Sequence, residues 1–390
     1  MARIRNVEGF AIRAPRDLSG ATGLAGSPTK LKGSADYRWS EAYPALYSIH
    51  FETALVRVTL DNGLAGWGEA QAPLAPQVAC TIVETLLVPV LIGEEFQGEG
   101  GELEALWNRM YSTMRVRGQT GGFMLDAISG VDLALWDLGG KIAGKSSSAG
   151  AAESREKIPA YLSGLAGETP GAKVESAKPF VDAGFEIIKL YFDRTPKDLL
   201  ETIDALQSAF QHIRVAVDGL WRFSFDEAVA FGRELDARRA RWFECPLLPE
   251  FVEEHAGLAR EIETPLAAGE SYRTRFELRE FFKSRSLGVV QPDLGRCGLT
   301  EGLHIAKAAR ENGMEIVPHV SIACGPQIAA AIHFARLCGN CNLLEYNPRV
   351  FEIANRFLNV PLRMDGAHYV VPEGPGFGIE INDLFERYLA

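Results

Sequence analysis

A repeating series of short apolar runs, each followed closely by a polar residue, constrains the fold of this chain most strongly. The runs have their centres at 187–188, 215–217, 241–243, 266–268, 288–290, 315–317 and 342–344. Amphipathic, helix-like stretches such as 225–235, 275–282 and 301–312 lie between them. Runs that are apolar on both faces are typical of parallel strands, and strands that alternate with helices indicate βα units. Seven or eight such units predict a closed α/β barrel.

The polar residue at or shortly after each run is of a type that enzymes use in catalysis. In chain order these residues are Lys189, Asp218, Glu244, Glu270, Asp293, His319 and Glu345, separated by 29, 26, 26, 23, 26 and 26 residues. One strand-end acid alone is more often a helix cap or a solvated loop residue. A whole series at the interval of a βα unit is hard to explain structurally. Because the carboxyl ends of all barrel strands open onto one face, we expect these residues to meet in a single pocket.

Three members of the series, Asp218, Glu244 and Glu270, are carboxylates on consecutive runs. Carboxylate oxygens are the ligands that Mg²⁺ and Mn²⁺ prefer, whereas zinc favours nitrogen and sulfur. Three buried like charges also repel one another unless a cation lies between them. The series therefore predicts a divalent metal site made by these three side chains.

Asp293 and His319 follow on the next two runs. A carboxylate that bonds one ring nitrogen of a histidine fixes the tautomer and leaves the other nitrogen to act as a base. Of the seven histidines only His319 ends a barrel-type run, and the other six are interpreted as surface or packing residues.

Length and composition limit the classes of protein. With 390 residues, 47% of them hydrophobic, the chain suits a large barrel with a smaller companion domain. The formal net charge of -11, without a long basic run, argues against nucleic acid or an anionic membrane as a partner. The start lacks an apolar signal core, and no stretch approaches the roughly 18 apolar residues of a membrane span. The Cys338–Cys341 spacing is interpreted as a reduced loop pair, so a cytoplasmic protein is expected.

The region before the barrel is predicted to contain both strands and helices. Residues 54–60 and 64–70 read as two strands joined by a turn, and helical periodicity follows at 75–93, 102–114 and 122–143. A Gly/Ser/Pro-rich segment at 15–48 reads as one long loop, either disordered or a functional lid.

The sequence around these residues resembles the enolase superfamily and, within it, the mandelate racemase subgroup. The matching stretches are 185–189, 217–218, 242–247, 268–270, 291–301, 317–319 and 344–346, with 66–70, 127–136 and 372–378 elsewhere. The resemblance covers nearly the whole chain. The resemblance implies an α/β fold, a modified TIM barrel of the (β/α)₇β type with an α+β capping domain. The implied limits are 1–130 for the capping domain, 131–364 for the barrel and 365–390 for a C-terminal segment returning to the capping domain.

The resemblance also implies roles for the site residues. It implies one Mg²⁺ per active site, held by Asp218, Glu244 and Glu270. Lys189 would stabilise the substrate carboxylate, and His319, oriented by Asp293, would transfer the proton. A protonated Glu345 would donate a hydrogen bond to an enediolate oxygen, and Tyr191 is a candidate for a second acid/base or a hydroxyl contact.

Two departures from the subgroup's pattern bear on the reaction. The second barrel strand of relatives often ends Lys-x-Lys, but here it reads Lys189-Leu190-Tyr191. Leu220 stands two residues after the metal-binding aspartate, where relatives often have Asn or a catalytic His. A racemase needs bases of matched strength on both faces of the α-carbon, and a tyrosine, with an ordinary pKa of about 10, weakens that symmetry.

These features favour an acid-sugar dehydratase, a hydro-lyase that forms a 2-keto-3-deoxy acid from a small-molecule carboxylate substrate. The alternatives are a racemase or epimerase of a 2-hydroxy acid, a cycloisomerase, or a non-catalytic metal-binding relative. The resemblance also implies a homo-oligomer.

A distal carboxylate of the substrate could be bound by basic and hydroxyl side chains outside the series. The candidates are Lys30, Lys32, Tyr37, Arg38, Arg115 and Arg117. Solvated loop charges are the alternative interpretation of each residue taken alone.

Overall fold

Eight parallel strands form a barrel between residues 157 and 346. The structure is a computed structural model that describes residues 2–16, 29–40, 45–151, 155–192 and 194–390. The barrel strands are β7 (Lys157–Leu162), β8 (Ile187–Tyr191), β9 (Arg214–Asp218), β10 (Phe243–Glu244), β11 (Leu266–Ala268), β12 (Val289–Val290), β13 (Glu315–Ile316) and β14 (Leu344–Tyr346). Each strand from β7 to β13 is followed by a helix. These helices are α5 (Pro170–Asp182), α6 (Pro196–Ala209), α7 (Phe225–Ala237), α8 (Val252–Glu261), α9 (Arg279–Ser284), α10 (Leu294–Glu311) and α11 (Pro326–Leu337).

The strand order closes the sheet into a barrel. Strands β7 to β13 are hydrogen-bonded in chain order, and β14 pairs in parallel with β7. An isolated parallel bridge between Ile316 and Cys341 joins β13 to the segment that leads into β14. The seven strand–helix units and the closing strand confirm the predicted (β/α)₇β barrel.

Side chains alternate between the inside and the outside of the barrel along each strand. Val215 and Val217 pack in the large core between the strands and the helices, whereas Ala216 belongs to a separate interior cluster with Trp242 and Tyr161. By this alternation Asp218, two residues after Ala216, and Glu244, two residues after Trp242, also face inward. The side chains that fill the barrel interior therefore lie directly beneath the strand-end series.

A smaller α+β unit precedes the barrel and lies against it. Its strands are β1 (Ile4–Pro15), β2 (Thr29–Lys30), β3 (Tyr37–Ser40), β4 (Ala45–Ser48), β5 (His50–Leu60) and β6 (Ala65–Ala70). Its helices are α1 (Pro76–Ile82), α2 (Val88–Leu91), α3 (Gly100–Arg115) and α4 (Gly122–Ala143), with a π-helical turn at Val83–Leu87. Strands β1, β5 and β6 form one antiparallel sheet, and β2, β3 and β4 form another.

Glycines in β6 allow helix α4 to lie directly on the backbone of the sheet. A side chain at Gly68 would overlap the Gly130 carbonyl oxygen, and one at Gly66 would overlap that of Ala134. Both positions therefore require glycine, and the Gly-Trp-Gly order of the sequence follows from this close packing.

The end of the chain returns to this unit. After α12 (Pro348–Arg356), β15 (Arg363–Asp365) and β16 (His368–Val370), a 3₁₀ helix at Asp383–Tyr388 follows. Phe385 packs against Phe10 and Trp67, with ring centroids 5.2 and 5.4 Å apart. These contacts are those of an α+β capping domain, as predicted. The helix α4 runs unbroken through residue 130, and the predicted domain limits stay predictions.

The predicted helices before the barrel are present, but two other expectations need correction. Residues 15–48 are not one loop, since β2, β3 and β4 form a small sheet within them; residues 17–28 and 41–44 lie outside the described residues. The helix expected from residue 275 begins only at Arg279. The backbone N–H of Arg275 instead donates to Glu301 at 2.6 Å, which holds that residue in a loop.

Candidate active site

The structure places the whole strand-end series at the carboxyl ends of β8 to β14, where it forms one group that is buried except for the half-buried Glu270. Lys189 and Glu345 lie within β8 and β14, Asp218 and Glu244 end β9 and β10, and the other members follow their strands by two or three residues. Lys189, Asp218, Glu244, Asp293, His319 and Glu345 are all buried. The barrel thus brings together side chains that are up to 156 residues apart in sequence.

Lys189 lies at the centre of one side of this group, which we call the lysine flank (Lys189, Glu244 and Glu345). Its Nζ is 2.7 Å from Glu244 Oε1, 3.0 Å from Glu345 Oε1 and 3.7 Å from Asp218 Oδ2. Burial alone lowers the pKa of Lys189, but Glu244 and Glu345 outweigh it and hold the pKa well above its usual value. The lysine is therefore a fixed ammonium ion.

Groups inside the barrel hold Glu244 and Asp218 in position. Trp242 Nε1 and Gln291 Nε2 both donate to Glu244 Oε2, at 2.9 and 2.8 Å. The backbone N–H of Leu220 donates to Asp218 Oδ1 at 3.0 Å. Leu220, the departure from the family pattern, is buried and has a φ of 51°, so it turns the chain at the rim of the site without supplying an acid or base.

His319 is the centre of the opposite side, the histidine flank (His319, Asp293 and Glu270). Its Nδ1 is 2.7 Å from Asp293 Oδ2, and its Nε2 is 3.0 Å from Glu270 Oε2. Burial lowers the pKa of His319, but Glu270 and Asp293 outweigh it and hold the pKa well above its usual value. Burial raises the pKa of Glu270, but the charge and hydrogen bond of His319 outweigh burial and lower the pKa of Glu270 to about 2. The flank is therefore an ion pair with a carboxylate on each ring nitrogen.

The three predicted metal ligands suit a hard cation in donor type, and they lie on or just after three neighbouring strands. Strand register sets Glu244 beside Asp218, and Glu270 follows the next strand. Burial raises the pKa of Asp218 well above its usual value, and the charges of Glu244 and Glu270 raise it further. A nearby cation would relieve this repulsion.

Their oxygens are not arranged as a ready-made metal site. Within the described ranges, no group of three His, Cys, Asp or Glu side chains has the geometry to hold a metal ion. Glu244 bonds the Lys189 ammonium instead, and Glu270 bonds His319. The donor set fits a divalent cation chemically, but these two side chains would have to move.

Glu345 accepts hydrogen bonds. Burial raises the pKa of this carboxyl group, but Lys189 and His319 outweigh it and lower the pKa below its usual value. Its Oε2 accepts the backbone N–H of Val320 at 3.0 Å. These charges favour an ionised Glu345 in this structure, and the role of a protonated donor stays a prediction.

Tyr191 lies beside the lysine flank, as predicted. The Nζ of Lys189 is 5.4 Å from the centre of its ring, and its hydroxyl oxygen is 2.7 Å from Ser163 Oγ. Burial is the largest cause of the raised pKa of Tyr191, so the phenol keeps its proton. Ser163, which also bonds Glu345, was not among the predicted residues, because it follows β7 and that strand lies before the series.

The described residues proposed to bind a distal carboxylate either make other contacts or are exposed. Tyr37 is hydrogen-bonded to Glu52 and Ala75, and Arg38 donates to the carbonyl groups of Ala35 and Tyr37. Three others, Lys32, Arg115 and Arg117, are exposed. The side chain of Lys30 lies outside the described part.

A capping-domain residue absent from the predictions does reach the site. Burial raises the pKa of Tyr47 on β4, and the charges of Asp218 and Glu270 raise it further. Arg16, after β1, is also electrostatically coupled to Tyr47. Neither residue carries a sequence signal, since each lies in a segment without periodicity.

Family models match most of the chain. The mandelate racemase / muconate lactonizing enzyme N-terminal domain matches residues 41–148, and the enolase C-terminal domain-like model matches residues 172–384. The chain therefore belongs to the mandelate racemase / muconate lactonizing enzyme family of the enolase superfamily.

Individual relatives agree with this assignment. An arabinonate dehydratase of Saccharolobus solfataricus is 29% identical over 364 residues, which cover 92% of this chain and 96% of the relative. A D-galactarolactone cycloisomerase of Agrobacterium fabrum is 30% identical over 343 residues, which cover 84% and 88% of the two chains. The crystal structure of an enolase-superfamily member from Agrobacterium tumefaciens superposes with a TM-score of 0.93 over the whole of both chains, at 27% identity. The chain is thus similar to sugar-acid enzymes along nearly its full length.

Two smaller findings concern features noted in the sequence. Cys338 and Cys341 are both buried free thiols. Among the described residues, no helix combines the length and the apolarity needed to cross a membrane.

Proposed function

We propose that this protein is a Mg²⁺-dependent acid-sugar dehydratase. It would remove the proton next to the substrate carboxylate and eliminate water from the neighbouring carbon, giving a 2-keto-3-deoxy acid. The observation that carries this proposal is the pairing of two unlike flanks, a lysine ammonium and an aspartate-bound histidine, beside three carboxylates in one buried site.

Asp218, Glu244 and Glu270 would hold the Mg²⁺. A divalent cation there would stabilise negative charge on the substrate's carboxylate oxygens as the α-proton leaves. Lys189 would bind the same carboxylate group, with its ammonium kept charged by Glu345 and positioned by it. Glu345 acts in this scheme as an ionised acceptor that orients Lys189.

His319 would transfer the proton. Asp293 bonds Nδ1 and so leaves Nε2 as the nitrogen that faces the metal-binding carboxylates and the substrate. In this structure the ring is protonated and its Nε2 is paired with Glu270, so Nε2 would act as base once Glu270 turns to the metal and the ring releases that proton. It would then take the α-proton, and the electron pair of that C–H bond would enter the enediolate. As acid, the same nitrogen returns a proton to the departing hydroxide, and the resulting enol becomes the keto acid.

Tyr191 would contribute a hydroxyl group rather than a second base. Its raised pKa makes the phenolate inaccessible near neutral pH, and Ser163 fixes the direction of the hydroxyl group. One histidine base opposite a neutral tyrosine favours one-way elimination over racemisation, which needs two competent bases. The dehydratase relative described above agrees with this choice.

A cycloisomerase is the second candidate. The Agrobacterium fabrum relative carries that activity in its name, and its reaction class uses the same removal of a proton next to a carboxyl group. A racemase or epimerase is disfavoured by Tyr191. The homo-oligomer and the cytoplasmic location expected from the sequence stay predictions.

A screen of mono- and diacid sugars tests the proposal. The protein is incubated with each acid and Mg²⁺ in deuterated water, and keto-acid formation and deuterium incorporation are followed by NMR. We expect a 2-keto-3-deoxy acid from at least one sugar acid. Deuterium entering unreacted substrate without a keto product would favour an epimerase, and a cyclic isomer would favour the cycloisomerase. Either result, or no reaction at all, would overturn the dehydratase proposal.

A further inference from the structure

Asp293, which orients His319, is itself held from outside the site. Its Oδ2 faces the histidine, while its Oδ1 accepts two hydrogen bonds, from the backbone N–H of Gly295 at 2.9 Å and from Gln327 Nε2 at 2.8 Å. A carboxylate fixed on one oxygen by two donors presents the other oxygen in a single direction. The direction of the His319 ring therefore depends on Gln327 and on Gly295.

Gln327 is a polar residue at a position where its buried amide group destabilises the fold. It is fully buried on α11, and among the described residues its carbonyl oxygen has no hydrogen-bond partner. An unpaired buried carbonyl destabilises the fold, and an apolar side chain of the same length would avoid this cost. The amide orientation is set by its neighbour, because a carbonyl oxygen facing Asp293 would be repelled. The hydrogen bond from its amide nitrogen to Asp293 offsets this loss.

A buried carboxylate of the capping domain fixes the start of α11. Glu69, on β6, accepts the backbone N–H of Cys324 at 2.6 Å and that of Gln327 at 3.2 Å. Thr53 Oγ1 holds the same carboxylate at 2.9 Å. Burial raises the pKa of Glu69 to about 7, so its ionised form, which interacts favourably with the helix dipole, predominates above that pH. Glu69 thus ties the backbone of Gln327 to the capping sheet.

The capping domain also holds the first turn of α10, which follows Asp293. The Gly295 carbonyl oxygen accepts the backbone N–H of Gln71 at 2.8 Å and a short bond from Ser129 Oγ. A side chain at Gly295 would collide with Gln327 and Gln71, so the turn, α11 and the end of β6 are in direct contact. Both donors to Asp293 Oδ1 are consequently set by capping-domain residues.

We propose that Gln327 and Glu69 are positioning residues for the His319–Asp293 pair, through which docking of the capping domain sets the direction of the histidine ring. The inference rests on the proposed function, because it assigns these residues a purpose in proton transfer by His319.

A first experiment replaces Gln327 by methionine, which keeps the length of the side chain and removes the donor. The matched control is Gln207→Met, which removes a glutamine that donates to the Arg238 carbonyl on the outer face of the barrel. We expect Gln327→Met to lower kcat by about 10- to 100-fold with KM changed less than about threefold, and Gln207→Met to leave both unchanged. Equal effects of the two substitutions, or an unchanged kcat in Gln327→Met, would overturn the inference.

A second experiment needs no substrate and so separates this inference from the proposed function. Protein with ¹⁵N-labelled histidine, loaded with Mg²⁺, is expected to show a downfield Nδ1–H signal, assigned to His319 by its loss in His319→Asn. Gln327→Met should shift or broaden that signal, whereas Gln207→Met should not. An unchanged signal in Gln327→Met would overturn the inference even if the dehydratase activity is found. A changed signal would support it even if the substrate screen fails.

Glu69→Gln provides a second variant in case Gln327→Met does not fold. The amide can accept only one of the two backbone N–H groups, so the start of α11 should loosen. Asp137→Asn is the control, since Asp137 is also a buried acceptor of two backbone N–H groups, from Trp67 and Phe377, but has no contact with α11's first turn. We expect the His319 signal to change in Glu69→Gln alone. The same change in both variants would mean that general loosening is the cause, against the proposal.

Discussion

The lysine flank and the histidine flank face each other across the same barrel mouth, yet different parts of the chain support them. Lys189, Glu244 and Glu345 are held by one another and by residues that flank the barrel strands, such as Trp242 and Gln291. The histidine flank depends in addition on α11 and on the capping domain, through Gln327 and Glu69. One flank is therefore part of the barrel itself, and the other is completed only when the two domains are docked.

This difference separates two requirements of the proposed reaction. Charge at the lysine flank must be fixed in place, and a buried ammonium among three carboxylates does this with few outside contacts. Direction at the histidine flank must be fixed, because a ring that transfers a proton needs its nitrogen aimed at one atom. We therefore expect substitutions in the histidine flank to act mainly on turnover. Substitutions in the lysine flank should act more strongly on stability.

The largest expected effect on turnover comes from His319→Asn. Asparagine keeps a polar group near Asp293 but cannot transfer a proton, so kcat should fall by roughly 10²- to 10⁴-fold. In the Mg²⁺-loaded protein, where Glu270 would bind the metal and the new amide can still donate to Asp293, the melting temperature should change little. The affinity for Mg²⁺, measured by calorimetry, should also change little. Turnover within a few fold of the wild type, with metal binding intact, would show that another residue is the base.

Lys189→Met should reduce turnover as well, but its distinctive effect is on stability. It leaves Glu244, Glu345 and Asp218 without their ammonium, and breaking a buried ion pair from one side costs about 3–5 kcal/mol. Urea denaturation without metal measures this loss, with the exposed Lys283→Met as control. Added Mg²⁺ should restore part of the stability, since a divalent cation replaces the missing charge. A loss that Mg²⁺ leaves untouched would argue against a metal site at these carboxylates.

Tyr191→Phe sharpens the comparison from the lysine flank. A hydroxyl group that only contacts substrate contributes one hydrogen bond, so kcat/KM should fall by about tenfold with the same product. Steady-state kinetics with product analysis by NMR give both numbers. Loss of all turnover would instead make Tyr191 an essential acid, and the single-histidine scheme would then be wrong.

Replacing His333 tests how stability depends on pH at a site away from both flanks. We expect this substitution to leave turnover unchanged. Its ring is buried between Ser148 and the Phe377 carbonyl group, and burial lowers its pKa to about 4. An unfolded histidine has a pKa near 6.5, so the unfolded chain binds more protons between these values. This contribution, on the order of 3 kcal/mol, is present above pH 6.5 and is lost as pH falls towards 4.

The measurement for His333 is the pH dependence of the free energy of unfolding. Between these two pKa values, the free energy of unfolding of His333→Gln should change less steeply with pH than that of the wild type. That of His212→Gln, a substitution on the surface, should change with pH as the wild type does. Parallel curves for all three proteins would contradict the assigned pKa of His333.

The sequence was sufficient to predict the parts of the site that repeat with the barrel. Each of the seven strand-end residues could be found because a βα unit has a nearly constant length and its strand end always faces the same pocket. The predicted convergence of these seven is confirmed by their contacts. Their roles as ligands, acid, base or hydrogen-bond donor stay predictions.

Other residues could not be predicted, for physical reasons that differ. Gln327 lies on a helix face, and Glu69 on a capping strand, so neither shares the period of the series. Ser163 follows the first barrel strand, before the repeat becomes visible. Tyr47 reaches the site only through the fold of the small sheet β2–β4, in a segment whose composition resembles a loop. Residues placed by contacts between domains leave no regular spacing in the sequence.

The central claim is that a divalent cation and His319 act together on the α-proton of a sugar acid. The most direct measurement follows that proton by ¹H NMR in deuterated water, using the best substrate and protein stripped of metal. Neither proton loss nor keto acid is expected before Mg²⁺ is added, and both should appear afterwards in the wild type but not in His319→Asn. Proton loss at an undiminished rate in the presence of a chelator would contradict the account.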